Sequence, residues 1–142
     1  AGEMSAHIFF KHRYYGYDDA LYAAIRLMSI IASSDQTLDE MLDAMPQMLN
    51  TPELRFDCPE GRKFQIVDEV AARLKLINGI KVFDIDGVRV LSNHGWWLLR
   101  ASNPQAVLVA RCESSNEEGL NFLKDALSQQ LIASGLNPPE FN

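Results

Sequence analysis

Two short segments of this chain hold side chains of chemical interest at telling spacing. Gly2-Glu3-Met4-Ser5-Ala6-His7 sets a carboxylate, a hydroxyl and an imidazole two residues apart, just ahead of the apolar run Ile8-Phe9-Phe10. In an extended segment alternate side chains share one face, so Glu3, Ser5 and His7 would meet one ligand while Met4 and Ala6 turn away. A polar sugar suits such a row. The second segment is Arg100-Ala101-Ser102-Asn103-Pro104-Gln105, a tight polar loop between two apolar stretches. Its composition suits an anion: arginine offers a planar fork matched to phosphate oxygens, Ser and Asn add short-range donors, and exposed loop N–H groups complete a cradle. Pro104 removes one such N–H.

The elements that must carry these loops follow from hydrophobic spacing. His7 to Phe10 predicts a short strand, followed by a polar, aromatic turn through Tyr17. Asp18 is the expected N-cap of a helix with Leu21, Ala24, Ile25, Met28 and Ile31 at three- and four-residue intervals, ending near Ser33-Ser34. Thr37 and Glu40 predict a capping box on a second helix that ends near Pro46. Asn50-Thr51-Pro52 marks a boundary. Beyond it come a strand over 53–58, a helix over 63–76 and a hairpin of 81–85 with 88–91 around Asp86-Gly87, a strong two-residue turn signal. Strands over 95–99 and 107–112 and a helix opened by Asn116 complete a β-α-β-β-β-α order. That order predicts an α+β domain, a small antiparallel sheet with helices on one face. Trp96 and Trp97 adjoin on a strand and face opposite ways, so one of them belongs to the core.

Composition narrows the function. The 142 residues are 47% apolar, enough for a core, with 19 acidic and 13 basic residues and a net charge of −6. That balance disfavours broad binding to nucleic acid or anionic membrane. No apolar run reaches the length of a membrane span and no signal segment opens the chain, so a soluble, cytoplasmic protein is expected. Cys58 and Cys112 stand far apart without a neighbouring histidine, which predicts reduced, buried thiols and no metal site. A chemically loaded segment at residue 1 reads as the C-terminal piece of something larger.

Together the two loops resemble one family. Gly2-Glu3-Met4-Ser5-Ala6-His7 is similar to the sugar-binding loop of the α-D-phosphohexomutases, G-E-M-S-G-H, and Arg100-Ala101-Ser102-Asn103 to their phosphate-binding loop, R-x-S-N-T. The stretches from Arg13 to Ala24, Asn50 to Arg55, Ile85 to Arg89 and Gly95 to Asn103 also resemble the phosphomannomutase/phosphoglucomutase branch, so the likeness runs from residue 1 to about 133. It implies that residues 1–50 are the end of the family's third, α/β, domain, and that residues 51–142 are its C-terminal phosphate-binding domain, an α+β unit like that of the TATA-binding protein. It implies an enzyme that moves a phosphoryl group between the 1- and 6-hydroxyls of a hexose through a phosphoserine and a bisphosphorylated intermediate. The phosphoserine and the loop that holds Mg²⁺ lie in other domains, since neither T-x-S-H-N-P nor DGDGDR occurs here. By the same resemblance Glu3 and Ser5 would bind sugar hydroxyls, His7 would act near the transferring phosphoryl group, and Arg100, Ser102, Asn103 and Gln105 would grip the other phosphate. The implied partners are a phosphosugar and the N-terminal domains of the same enzyme, and this chain alone would be inactive.

The chain departs from the pattern at two places. Ala6 replaces a glycine, which is harmless at negative φ and costly in a left-handed conformation. Pro104-Gln105-Ala106 stands where the family has T-E-P or T-T-P, removing a hydroxyl and an amide from the phosphate loop. Alternatives are a phosphoglucosamine mutase fragment, against which Met4 weighs, and a non-enzymatic α+β binding module.

Overall fold

Asp19, not Asp18, starts the first helix in the computed structural model, which describes residues 1–3, 6–59, 61–103 and 105–141. The Asp19 carboxylate accepts from the Tyr22 N–H at 2.8 Å and caps α1, Ala20–Ala32. Two adjacent aspartates both suit a cap. A tertiary contact of Asp18, described below, settles which one serves. Thr37 and Glu40 form the expected capping box on α2, Leu38–Asp43.

The chain falls into two units, Ala1–Pro46 and Gln47–Asn142. In the first, α1 buries no residue, and its apolar stripe of Leu21, Ile25 and Met28 is exposed. Tyr14 stacks on Tyr22, with ring centroids 3.9 Å apart, and its hydroxyl donates to the carboxylate of Asp19. That bond, with one to Tyr17, holds the Tyr14 phenol well above its ordinary pKa.

The second unit carries each strand and helix expected over 53–131 and also a short strand ahead of them; four strands, not the three of a β-α-β-β-β-α order, lie between its helices. Its elements are β1 (Leu49–Asn50), β2 (Leu54–Asp57), α3 (Lys63–Leu74), β3 (Lys81–Phe83), β4 (Val88–Ser92), β5 (Gly95–Ala101), β6 (Val107–Ser114) and α4 (Glu117–Ala133). All pairings are antiparallel in the order β1-β6-β5-β4-β3, and β2 also pairs with β6. Asn50 belongs to β1, and the Thr51 hydroxyl next to it accepts from the Cys112 N–H at 3.1 Å, tying this segment to β6.

Alternation along β5 and β6 decides which face is covered. Trp97 pairs with Cys112, Leu99 with Ala110 and Ala101 with Leu108, and all of these except the partly buried Ala101 are at most 1% exposed. Ile66, Val70 and Leu74 of α3 and Leu123, Leu127 and Leu131 of α4 complete that core. The helices are joined by Arg73, which donates to the Gln130 side chain and carbonyl and to the Ser134 hydroxyl. Trp96 lies on the opposite face, half-buried, with the Arg89 guanidinium 4.5 Å from a ring centroid and its Nε1 donating to Glu113 at 3.0 Å.

The hairpin between β3 and β4 is wider than the sequence predicts. β3 ends at Phe83, which pairs with Arg89, and β4 begins at Val88, so residues 84–87 make the connection rather than a two-residue turn. A type I′ turn needs positive φ at both central positions, and only Gly87 has it, at 78°. Gly87 also presses on β5: an added Cβ would lie 2.6 Å from the Cβ of Arg100. Gly87→Ala is therefore expected to lower unfolding free energy by more than about 2 kcal/mol, left-handed strain and backbone collision together, as read by urea denaturation. Burial pushes the Cys112 thiol up to about 12. Cys112 is expected to stay unlabelled by iodoacetamide at pH 8 until denaturant is added, as mass spectrometry would show.

Candidate functional site

In the first unit the segment bearing Glu3 and His7 is not extended. The Glu3 N–H donates to the His7 carbonyl at 2.9 Å and the Ala6 N–H to the Glu3 carbonyl at 3.1 Å, so the chain reverses within five residues. Gly2 bridges Ile8, and Phe9 bridges Asp18, in place of the strand expected over His7 to Phe10. Glu3 and His7 therefore do not share one face of an extended segment, and their backbones meet. Ala6 has φ 67°, the left-handed region that the glycine of the related motif would enter without strain. Met4 and Ser5 lie outside the described residues.

His7 is oriented by Asp18. Its Nδ1 lies 2.6 Å from Asp18 Oδ2, while Oδ1 of the same carboxylate accepts from the Ile8 N–H at 3.1 Å. A carboxylate only accepts, so Nδ1 carries the hydrogen and Nε2 is the ring's acceptor while the imidazole is neutral. The hydrogen bond to Asp18 raises the His7 pKa above its ordinary 6.5, aided by the Asp18 charge and by Glu3.

In the second unit the loop after β5 takes its geometry from the sheet. Arg100 follows Leu99 on the alternate face, so its guanidinium is exposed. Asp86 reaches it at 3.5 Å from a largely exposed position, a pairing worth at most about 1 kcal/mol, which a phosphate could displace. The Ser102 N–H donates to the Val107 carbonyl at 3.0 Å and closes the loop, so this amide is not offered to an anion. Asn103 lines a cavity of about 390 Å³ shared with Phe64, Lys75, Asp84 and Asp86. Gln105 is held twice, its side-chain oxygen by Arg55 Nη1 at 3.1 Å and its carbonyl by Lys63 Nζ at 3.0 Å. Pro104 lies outside the described residues. His12 contacts Arg26 and His94 lies against Phe122. Among the described residues, no group of three or more His, Cys, Asp or Glu is placed to hold a metal ion. Among them, too, no helix is long and apolar enough to cross a membrane.

The family model described as phosphoglucomutase/phosphomannomutase, C-terminal domain, matches residues 53–130, more than half of the chain. The chain belongs to the phosphoglucomutase/phosphomannomutase family. Residues 1–49 match the model of its alpha/beta/alpha domain III. A phosphoglucomutase of Neisseria gonorrhoeae is 41% identical over 126 residues, 88% of this chain and 27% of that protein. A phosphomannomutase/phosphoglucomutase of Pseudomonas putida is 40% identical over 132 residues, 93% of this chain and 28% of that one. A crystal structure of a phosphoglucomutase/phosphomannomutase family protein from Burkholderia thailandensis superposes with a TM-score of 0.80 at 35% identity, covering 98% of this chain and 29% of its own. The chain thus spans less than a third of the length of these relatives. Neither the glucosamine-phosphate reading nor the non-enzymatic module is favoured by these matches.

Sequence reasoning missed Asp18, Arg55 and Lys63, which touch the motif residues rather than belong to the motifs. Asp18 was the traceable one, as the spare member of an Asp-Asp pair. Because Asp18 raises the His7 pKa, the stabilisation from their pairing is full below pH 6.5 and fades as pH rises through the higher folded pKa. Asp18→Asn is expected to return the His7 titration, followed by ring-proton NMR, to about 6.5. An unchanged midpoint would exclude Asp18 as the cause.

Proposed function

We propose that this chain is the C-terminal part of a phosphohexomutase, a phosphomannomutase/phosphoglucomutase interconverting hexose 1-phosphate and hexose 6-phosphate. Residues 1–50 form the end of its sugar-binding third domain and residues 51–142 its phosphate-binding domain. The observation that carries the reading is the exposed Arg100 fork at the end of β5, in a weak surface pair with Asp86, beside Ser102, whose N–H donates to the Val107 carbonyl, and Asn103.

The division of labour follows from the side chains. Arg100, Ser102, Asn103 and Gln105 hold the phosphate that is not reacting, and Glu3 and Ser5 accept from or donate to sugar hydroxyls. Such remote contacts orient the substrate and are expressed in the rate. His7, with Nδ1 fixed by Asp18, presents Nε2 to the reacting end, where it hands over or takes up a proton or steadies developing charge. A bisphosphorylated intermediate must turn end for end between the two half-reactions, so one loop must accept either phosphate. The fork of Arg100 suits this, because it reads phosphate oxygens and not the carbon that bears them. Magnesium, when bound by another domain, would neutralise charge on the transferring group. The phosphoserine and the remaining N-terminal domains of the same protein are the partners, and the exposed apolar stripe of α1 supports a surface that they cover. A cytoplasmic setting accords with two buried free thiols.

The test is an NMR titration of the 142-residue chain with glucose 1-phosphate, mannose 1-phosphate and inorganic phosphate. Localised shifts of the Asn103 and Gln105 amides are expected with all three, at dissociation constants on the order of millimolar (about −4 kcal/mol), and Arg100→Gln should abolish them. No shift at tens of millimolar would overturn the phosphate loop.

A further inference from the structure

Tyr22, Arg26 and Ser29 each follow a residue of the apolar stripe of α1 by one position, so they share a face about 100° around the helix from it. A surface that covers the stripe need not cover this face. With Arg13, Ile30 and Ser33 these three line a cavity of about 330 Å³. Two arginines meet there and no carboxylate is among the lining residues, in a chain whose net charge is −6. Charges of one sign in a concave site reinforce each other's field. Arg26 is positioned by neutral groups. Its guanidinium carbon lies 5.1 Å from the centre of the Phe10 ring, and Nη1 donates to the Tyr22 hydroxyl and to Nδ1 of His12, each at 3.3 Å. An arginine only donates, so that ring nitrogen accepts and the imidazole is neutral. These contacts fix the fork without cancelling its charge. Arg13 reaches the same cavity from the turn ahead of α1, with its backbone in the left-handed region at φ 59°. The Tyr22 hydroxyl donates to the carbonyls of His12 and Arg13, at 3.3 and 3.2 Å, and ties this turn to the helix. Glycine would hold such a turn without strain, so the backbone does not explain an arginine there.

We propose that this cavity is a second oxyanion site, in which Arg13 and Arg26 take the phosphate group of a small phosphate ester. Two planar forks match the oxygens of a tetrahedral dianion, and the Ser29 hydroxyl adds a short-range donor. The volume suits a phosphate that carries a small organic group. A dianion is attracted twice as strongly as a monoanion at the same distance, which sets phosphate above a simple carboxylate here. The site lies wholly within the first unit, and the inference does not depend on the loop at Arg100. An anion bridging the two arginines would brace the turn against α1, and that turn runs on to Asp18, the residue that orients His7.

The experiment uses the 142-residue chain carrying R100Q, so that the loop of the second unit does not report. Inorganic phosphate and acetate are titrated at constant ionic strength, and the amides of Arg13, Ser29 and Ile30 are followed by NMR. Saturable shifts are expected with phosphate, at a dissociation constant on the order of millimolar, and acetate should bind several-fold more weakly. Adding R13Q or R26Q should weaken phosphate at least about tenfold, with circular dichroism confirming that each variant is folded. R13Q, whose side chain is exposed, decides the matter if R26Q does not fold. No saturable shift at tens of millimolar, equal shifts with acetate, or phosphate bound as well after R13Q overturns the site. None of these outcomes bears on the loop at Arg100, which the parent chain reports through Asn103 and Gln105.

Discussion

The register of β5 on β6 is the constraint from which the second unit takes its form. Trp97 and Leu99 face Cys112 and Ala110 on the covered side, and this pairing obliges Trp96, Leu98 and Arg100 to face away from the helices. A slip of one residue would turn every one of these side chains to the other face, putting the guanidinium under α3 and an indole into water. The cost of either makes the register unique. The position of Arg100 is therefore set by hydrophobic burial elsewhere on its strand. The neighbouring hairpin reinforces it, because the bare backbone of Gly87 is all that fits against Arg100.

The first unit obeys a different rule, in which polar contacts near the chain start do the positioning. Asp18 takes both the His7 ring and the Ile8 amide, and Asp19 takes the helix cap, so two consecutive carboxylates serve two separate ends. Ala6 holds its left-handed φ inside the same turn, a conformation that disfavours any side chain. Strain at one residue of a binding loop is tolerable when the flanking hydrogen bonds over-determine its shape.

Much of this was legible in the sequence because local rules and global fold agree. The capping box at Thr37, the Asn116 cap of α4, the run of strands and helices from 54 to 133 and the inward tryptophan all follow from spacing and end chemistry. What escaped depends on tertiary context. A lysine opening a helix reads as solvated, and only the fold shows it buried against Gln105. The pair Asp86-Gly87 reads as a tight turn, but Phe83 is the last residue of its strand, with Ile85 almost wholly exposed beyond it. The two-residue β1 is too short to leave any periodic trace. Both loop motifs were found from composition and resemblance, yet Glu3 and His7 do not stand on one extended face, since spacing alone does not distinguish a strand from a segment whose ends hydrogen-bond to each other.

Trp96 and Arg100 share the outer face of β5, four residues and so about 13 Å apart along one rigid strand. Trp97, the second of the two indoles, is sealed in the core and insulated from solvent. The chain thus contains one sheltered chromophore and one lying open beneath Arg89 on the strand that ends in the loop. Its intrinsic fluorescence is accordingly divided into an internal reference and a sensor of that face, without any label being attached.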